Sequence, residues 1–387
     1  MPGNDGSQSP WDDSPRPTPY GTPPYQRRRQ FPGRLIAPAA LLLTAIAAIT
    51  VVVFPRSNAV RLSPAGDPGA GESQHGLSVT AGTGNGGTAS PAAQPPAITK
   101  AEAERVLSAY WRVNNEANEQ RSGSLLEIVE GGTSYTMDIG AYRFEQAAGP
   151  SASAYVPFEP VDAAYYIPRL AAGDYPRWFA AAVTYAGLAS PQHPTGSGYL
   201  LFRQASAGAA WKNVLEPYVL PGSGPAPHIA TDAGGYATAV SPAGDAAGLS
   251  IAPGQIGPVT AASLDGSSTA IKAPGNLTDL HDEAFWQSRL PAGSTDTDKH
   301  RPGPGLVFGL RTTDGGALLF YPLAAQLSLT PPPGETFELT IPGYYAPSQA
   351  LTSAVVGYIE QFAAYDPPQG HAGPHIAADA SSIASRD

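Results

Sequence analysis

The chain has no cysteine. That excludes a disulfide framework, a thiolate metal site, a cysteine nucleophile and a lipid carried on cysteine. Charge is scarce too: Asp, Glu, Lys and Arg make up 14% of 387 residues, and only Lys100, Lys212, Lys272 and Lys299 are lysines. The balance is acidic, with a formal net charge of -10, which argues against a nucleic-acid partner. Motif chemistry is missing as well. Gly82 to Gly87 has no Lys-Ser/Thr after it, as a phosphate loop needs. Gly196-Ser197-Gly198 and Gly222-Ser223-Gly224 are not nucleophile elbows. His371 and His375 lie four apart among Gly and Pro, with no acidic third ligand at a recognisable spacing, so no metal and no cofactor is expected. The densest titratable cluster, Asp279, His281, Asp282 and Glu283, reads as a solvated loop or helix cap.

What is present is one long apolar run. Leu35 to Phe54 carries no charge over 20 residues. At ~1.5 Å per residue, a helix of that length crosses the ~30 Å hydrocarbon core of a bilayer. Five Arg precede it (Arg16, Arg27, Arg28, Arg29, Arg34), whereas Arg56 and Arg61 are the only basic residues in the twenty that follow. The asymmetry predicts a cytoplasmic N-terminus, with the bulk of the chain outside. Ser57-Asn58-Ala59 offers a cleavage site, but the run is longer than a signal-peptide core, so a retained single-pass anchor at the cell membrane is expected.

Composition divides the rest. Residues 1–34 are Pro-rich and nearly free of aliphatics, which predicts a disordered cytoplasmic tail. Residues 55–97 read as a flexible Gly/Ser/Pro linker, and 369–387 as a disordered C-terminus. Order begins at Ile98. Thr99 and Glu102 form a capping box, and Ala103, Val106, Leu107, Tyr110, Val113 and Ala117 then recur at helical spacing. Shorter helices are expected at Ser124–Glu130 and Met137–Ala147. Aromatic and β-branched runs follow at 165–169, 178–185, 199–204 and 210–220, with a hairpin turn at Ser206-Ala207-Gly208. Past a junction at Pro221–Pro227, a helix is expected over Pro253–Leu264. A hairpin is expected around Asp314-Gly315, with strands at 336–341 and 354–365. The predicted fold is α+β: one transmembrane helix, then two units of helices and curved antiparallel sheet, 98–222 and 223–368.

The segments 106–132, 199–220, 309–321 (GLRTTDGGALLFY) and 358–368 (YIEQFAAYDPP) resemble an uncharacterised actinobacterial family. Its members carry one N-terminal membrane segment and an exported domain of unknown function, so the resemblance implies location but no catalytic residues. The helical start with a meander also resembles, in pattern, the nuclear-transport-factor and ketosteroid-isomerase type of α+β cone. Such cones hold ligands between helices and sheet, and Tyr110, Asn114, Asp138, Tyr142 and Trp178 are the candidate pocket residues. The reading that follows is a membrane-anchored extracytoplasmic binding or interaction module of the cell envelope. Its partners are the lipid bilayer, through Leu35 to Phe54, and an unidentified envelope protein or ligand. The alternative is an extracytoplasmic enzyme or small-ligand-binding protein that uses the cone pocket.

Overall fold

The computed structural model describes residues 50–55, 94–149, 155–188, 194–224, 226–243, 248–273, 277 and 290–386. The expected cytoplasmic tail, most of the expected linker and the Asp279–Glu283 cluster lie outside them. The described residues fall in one compact unit, Ile36–Asp387.

Three helices open it. In α1 (Lys100–Gln120), the Thr99 hydroxyl accepts from Glu102 N at 3.3 Å, while Thr99 N donates to the Glu102 carboxylate at 3.0 Å. Two orphan amides of the first turn are satisfied this way. Arg121 takes a left-handed conformation and ends α1. Ser122 then caps α2 (Gly123–Val129), and α3 (Gly132–Ala148) follows.

The strands come next: β2 (Phe158–Tyr166), β3 (Arg177–Gly187), β4 (Pro194–Gln204), β5 (Trp211–Leu215) and β6 (Tyr218–Val219). The second half adds β7 (Ala239–Val240), a helix α4 (Ile256–Leu264), β8 (Thr295–Pro302), β9 (Phe308–Arg311) and β10 (Ala317–Thr330). Then come β11 (Glu335–Thr340), β12 (Ala350–Leu351), β13 (Ala354–Asp366) and β14 (His375–Arg386). The β9–β10 hairpin turns at Asp314-Gly315, where Gly315 has φ +91° and the Asp314 carboxylate accepts from Thr312 Oγ1 and Gly316 N. Asp265, just past α4, accepts from His300 N at 3.0 Å and ties that helix to β8.

Strands from both expected units join one eleven-stranded sheet, in the order β2-β3-β4-β6-β14-β13-β10-β9-β7, with β5 on β4 and β8 on β10. The sheet curls until its ends approach: Ala237 N donates to Ile167 O at 2.9 Å, bridging the residues beside β2 to those before β7. Alternation along the strands sorts the side chains. Trp178 and Ala180 of β3, Leu201 of β4, Phe320 of β10 and Ala363 of β13 face one shared inner core. Outer positions such as Phe179 and Leu200 pack on α1. Leu319, Tyr321 and Leu323 pack with Ile256 of α4.

One expectation is corrected. The C-terminus expected to be disordered over 369–387 holds β14, which stands between β6 and β13 with Ile376 to Ile383 all buried. Its Ala and Ser residues read as spacer texture, yet small side chains are what a strand crowded on both faces needs. Helix α3 crosses β14 so closely that a Cβ on Gly140 would stand 2.1 Å from Ile383 O. Tyr344 Oη closes the same contact, donating to the Ile383 carbonyl at 2.8 Å and lying 3.2 Å from the Gly140 carbonyl.

The apolar run falls only in part among the described residues. Of the helix expected over Leu35–Phe54, residues 35–49 lie outside the described residues. The rest stands in a strand, β1 (Thr50–Pro55), antiparallel to β11 with Val52 opposite Glu338. Val51-Val52-Val53 is β-branched and suits a strand where a sheet edge is offered. No helix among the described residues is long and apolar enough to cross a membrane.

Candidate functional site

Residues four apart on a helix share a face, so Tyr110, Asn114 and Asn118 form a polar line within the buried stripe of α1. Tyr142 of α3 donates to Asn118 Oδ1 (2.6 Å), Asn118 Nδ2 to Asn114 Oδ1 (2.9 Å), and Asn114 Nδ2 to Glu130 Oε1 (3.0 Å). Glu130 ends α2 and is 1% exposed. Backbone pairing with β5 fixes its position, through Gly131 N to Asn213 O at 2.9 Å. Glu216 lies between β5 and β6; its amide donates to Gln361 Oε1 of β13 at 2.6 Å.

Glu216 is the hub. It accepts from Tyr110 (2.7 Å), Tyr218 (3.1 Å) and Tyr185 (3.2 Å). Tyr110 Oη also lies 3.0 Å from Glu130 Oε1. A phenol has one proton, so it can donate to only one of the two carboxyls. The shorter contact takes it, and the other is satisfied once Glu130 carries a proton of its own. Electrostatics points the same way. Burial, then the negative charges of Asp138 and Glu216, push the Glu130 carboxyl well above its ordinary range. Burial first, then Glu216 and Glu145, raise Asp138 to about 8. Burial raises Glu216 to about 7, held back by its three tyrosine donors. At neutral pH Glu130 and Asp138 are largely protonated, and Glu216 stands near its midpoint.

Asp138, Tyr142, Glu216, Gln361 and Ser382 line a cavity of about 60 Å³ beneath α3. That is room for a few waters. Carboxyls that titrate near neutrality have the acidity of general acids and bases. No group of three or more His, Asp or Glu with metal-binding geometry exists among the described residues.

The structure thus gathers Tyr110, Asn114, Asp138 and Tyr142 around one polar cluster. Trp178 lies elsewhere, tilted against Phe308 (centroids 5.2 Å) in the inner core and at the border of a different groove. Sequence reading missed Asn118, Glu130, Glu216 and Gln361. Two carried a signal: Asn118 continues the 110/114 spacing, and Glu216 is a lone acid within the apolar run Val214–Leu220.

A second concavity opens outward. A groove of about 620 Å³ runs between α1 and β2, lined among others by Leu107, Trp111, Tyr165, Glu104, Glu159 and Asp162. Val161 and Leu188 in its wall are 40% and 47% exposed, and nearby Val156 is 64% exposed. Among the described strands, β2 pairs with β3 alone, so its other side is a sheet edge. At Phe158 the Asn115 amide covers that edge, donating to Phe158 O (2.8 Å) and accepting from Phe158 N (3.1 Å).

The sequence is 30% identical over 240 residues to an uncharacterised lipoprotein of Streptomyces coelicolor, an alignment covering 59% of this chain and 64% of that one. It is 27% identical over 300 residues to an uncharacterised lipoprotein of Streptomyces avermitilis, covering 71% and 81%. The chain thus spans just under two thirds of the first relative's length. No solved structure matches it. Residues 94–384 match the family described as a domain of unknown function (DUF8094), so the chain belongs to that family, as its own segments implied.

Proposed function

We propose that this chain is an exported, membrane-anchored protein of the cell envelope, and that its folded part is a binding module that works through its outer surface. One observation carries the module reading: the interior is filled or closed. The inner face of the sheet is packed by Trp178, Phe308, Leu318 and Phe320, and the cavity beneath α3 holds about 60 Å³, against about 620 Å³ for the groove outside. Organic ligand sites usually need ~300 Å³ or more. The cone-pocket enzyme is therefore the weaker reading.

Location rests on the two lipoprotein relatives. These 387 residues hold no cysteine to carry a lipid, so the anchor is the run Leu35–Phe54, with the N-terminus in the cytoplasm. Insertion has a structural consequence. Leu35–Ile49 as a helix is ~22 Å long, too short for the ~30 Å core. Thr50–Phe54 must leave β11 when the run enters the bilayer.

A reporter active only outside the cytoplasm, fused after Asp387, is expected to be active; a cytoplasm-only reporter active there overturns the location. The cysteine-free background allows a second check. A Val52→Cys/Glu338→Cys pair is expected to crosslink in chain kept from membranes and not in chain inserted in them. Equal crosslinking in both removes Leu35–Phe54 as the anchor.

A further inference from the structure

The outer groove has features that specify an occupant. Its carboxylates, Glu104, Glu159 and Asp162, outnumber its single cation, Arg112. Apolar groups stand beside them: Val161, Leu188 and the nearby Val156 are three of the six large hydrophobics exposed among the described residues. Backbone is on offer as well, because the outer side of β2 has no strand partner among the described residues. A cation-seeking, partly apolar groove along a sheet edge fits a segment that is basic, partly apolar and extended, pairing its main chain with the strand.

The edge also limits the occupant. Pro160 has no N–H, and a bulge between Pro160 and Asp162 displaces Val161. Proline and bulges stop a long flat strand from pairing along the whole edge. What is left is the regular stretch Asp162–Tyr166, opposite Thr184 to Ala180 on its inner side. A second copy of this chain offers little that fits, since its net charge is -10 and its lysines number four. Its own basic run, Arg27–Arg29, falls on the far side of the membrane in the topology proposed above.

We propose that the groove between α1 and β2 binds a short, extended, Lys/Arg-bearing segment of another envelope protein, laid against Asp162–Tyr166 with its basic side chains toward Glu104, Glu159 and Asp162. This deepens the binding-module reading and rests on it.

The test is site-specific photo-crosslinking in the full chain, in cells that express it. The crosslinker replaces Val161 or Leu188, with Ile128 (56% exposed on α2) as the control position. Crosslinked peptides are mapped by mass spectrometry. The expected product, at both groove positions and not at Ile128, carries at least two Lys or Arg within about six residues. In the Glu104→Lys/Asp162→Lys background its yield is expected to fall at least fivefold. The proposal is overturned if the product is a second copy, a lipid or an acidic segment, if the yield ignores the charge reversal, or if nothing crosslinks. A product of the wrong kind at the groove, or a protein captured reproducibly elsewhere on the surface, defeats this inference and leaves the binding module standing. Absence of any partner at any exposed position removes both.

Discussion

Two regions of one sheet face behave in opposite ways. On β13 and β14, Ala363 and Ala378 belong to the inner core with Trp178, Phe308 and Phe320, where no polar side chain is needed. Two to four residues along the same strands and on the same face, Gln361 and Ser382 border the polar cavity beneath α3. The apolar end gains free energy for every Å² taken from water, about 25 cal/mol. The polar end buries its carboxyls without cations: burial holds protons on Glu130 and Asp138, Glu216 accepts from three tyrosines, and Glu130 Oε2 has no hydrogen-bond partner among the described residues. Stability is stored at the first end and compromised at the second. The cavity at the polar end has room for a few waters, whereas Trp178 and Phe308 at the apolar end border an open groove of about 610 Å³.

The contrast breaks most completely when the strand common to both regions is removed. Ending the chain after Gly370 deletes β14 from between β6 and β13. The expected result is loss of the cooperative fold, seen as the absence of a two-state unfolding transition by circular dichroism. A truncated chain that unfolds like the full one refutes the central place given to β14. Next comes the apolar end: Phe320, 0% exposed, changed to Ala is expected to cost about 3–5 kcal/mol. Gly140→Ala is expected to cost about 3 kcal/mol by driving a methyl into the Ile383 carbonyl. Both are read from denaturant midpoints; a cost below about 1 kcal/mol for either shows that the contact is looser than described. The outer groove sharpens the comparison from the other side. Val161→Asp is expected to stay within about 0.5 kcal/mol of the parent, because nothing there is packed. A larger loss would make Val161 part of the core.

Much of this architecture is legible in the residues. The capping box at Thr99, the helical stripe that follows and the Asp-Gly hairpin are local signals, and local physics decides them. The segment 354–365 fits helical spacing as well as strand, yet it is β13, because it lies between β10 and β14. Tertiary pairing made that choice, and nothing local records it. β14 was hidden by its small residues, and β8 by its charge: TDTDKHRP alternates buried-side and exposed residues without any apolar marker. The site divides in the same way. Helical periodicity brings Tyr110 and Asn114 together. Glu130 and Glu216 meet only because α2 and β5 dock side by side, 86 positions apart in the chain. Trp178 is a pocket candidate by periodicity, and strand alternation turns it to the other core.

Glu130 and Asp138 beneath α3 form a structural cluster that keeps its protons when the chain folds. For Asp138, folding raises affinity for the proton, to about 8. Its contribution to stability is therefore full below the unfolded value near 4 and is lost as pH rises through the folded value. Equilibrium unfolding of the full chain in detergent, at pH 4.5 and pH 8, compares the parent with Asp138→Asn, a neutral mimic of the protonated acid. The expected result is a difference within about 1 kcal/mol at pH 4.5 and a variant more stable by on the order of 5 kcal/mol at pH 8. A variant less stable than the parent at pH 8 would contradict the claim, since it would mean that the fold uses the ionised carboxylate.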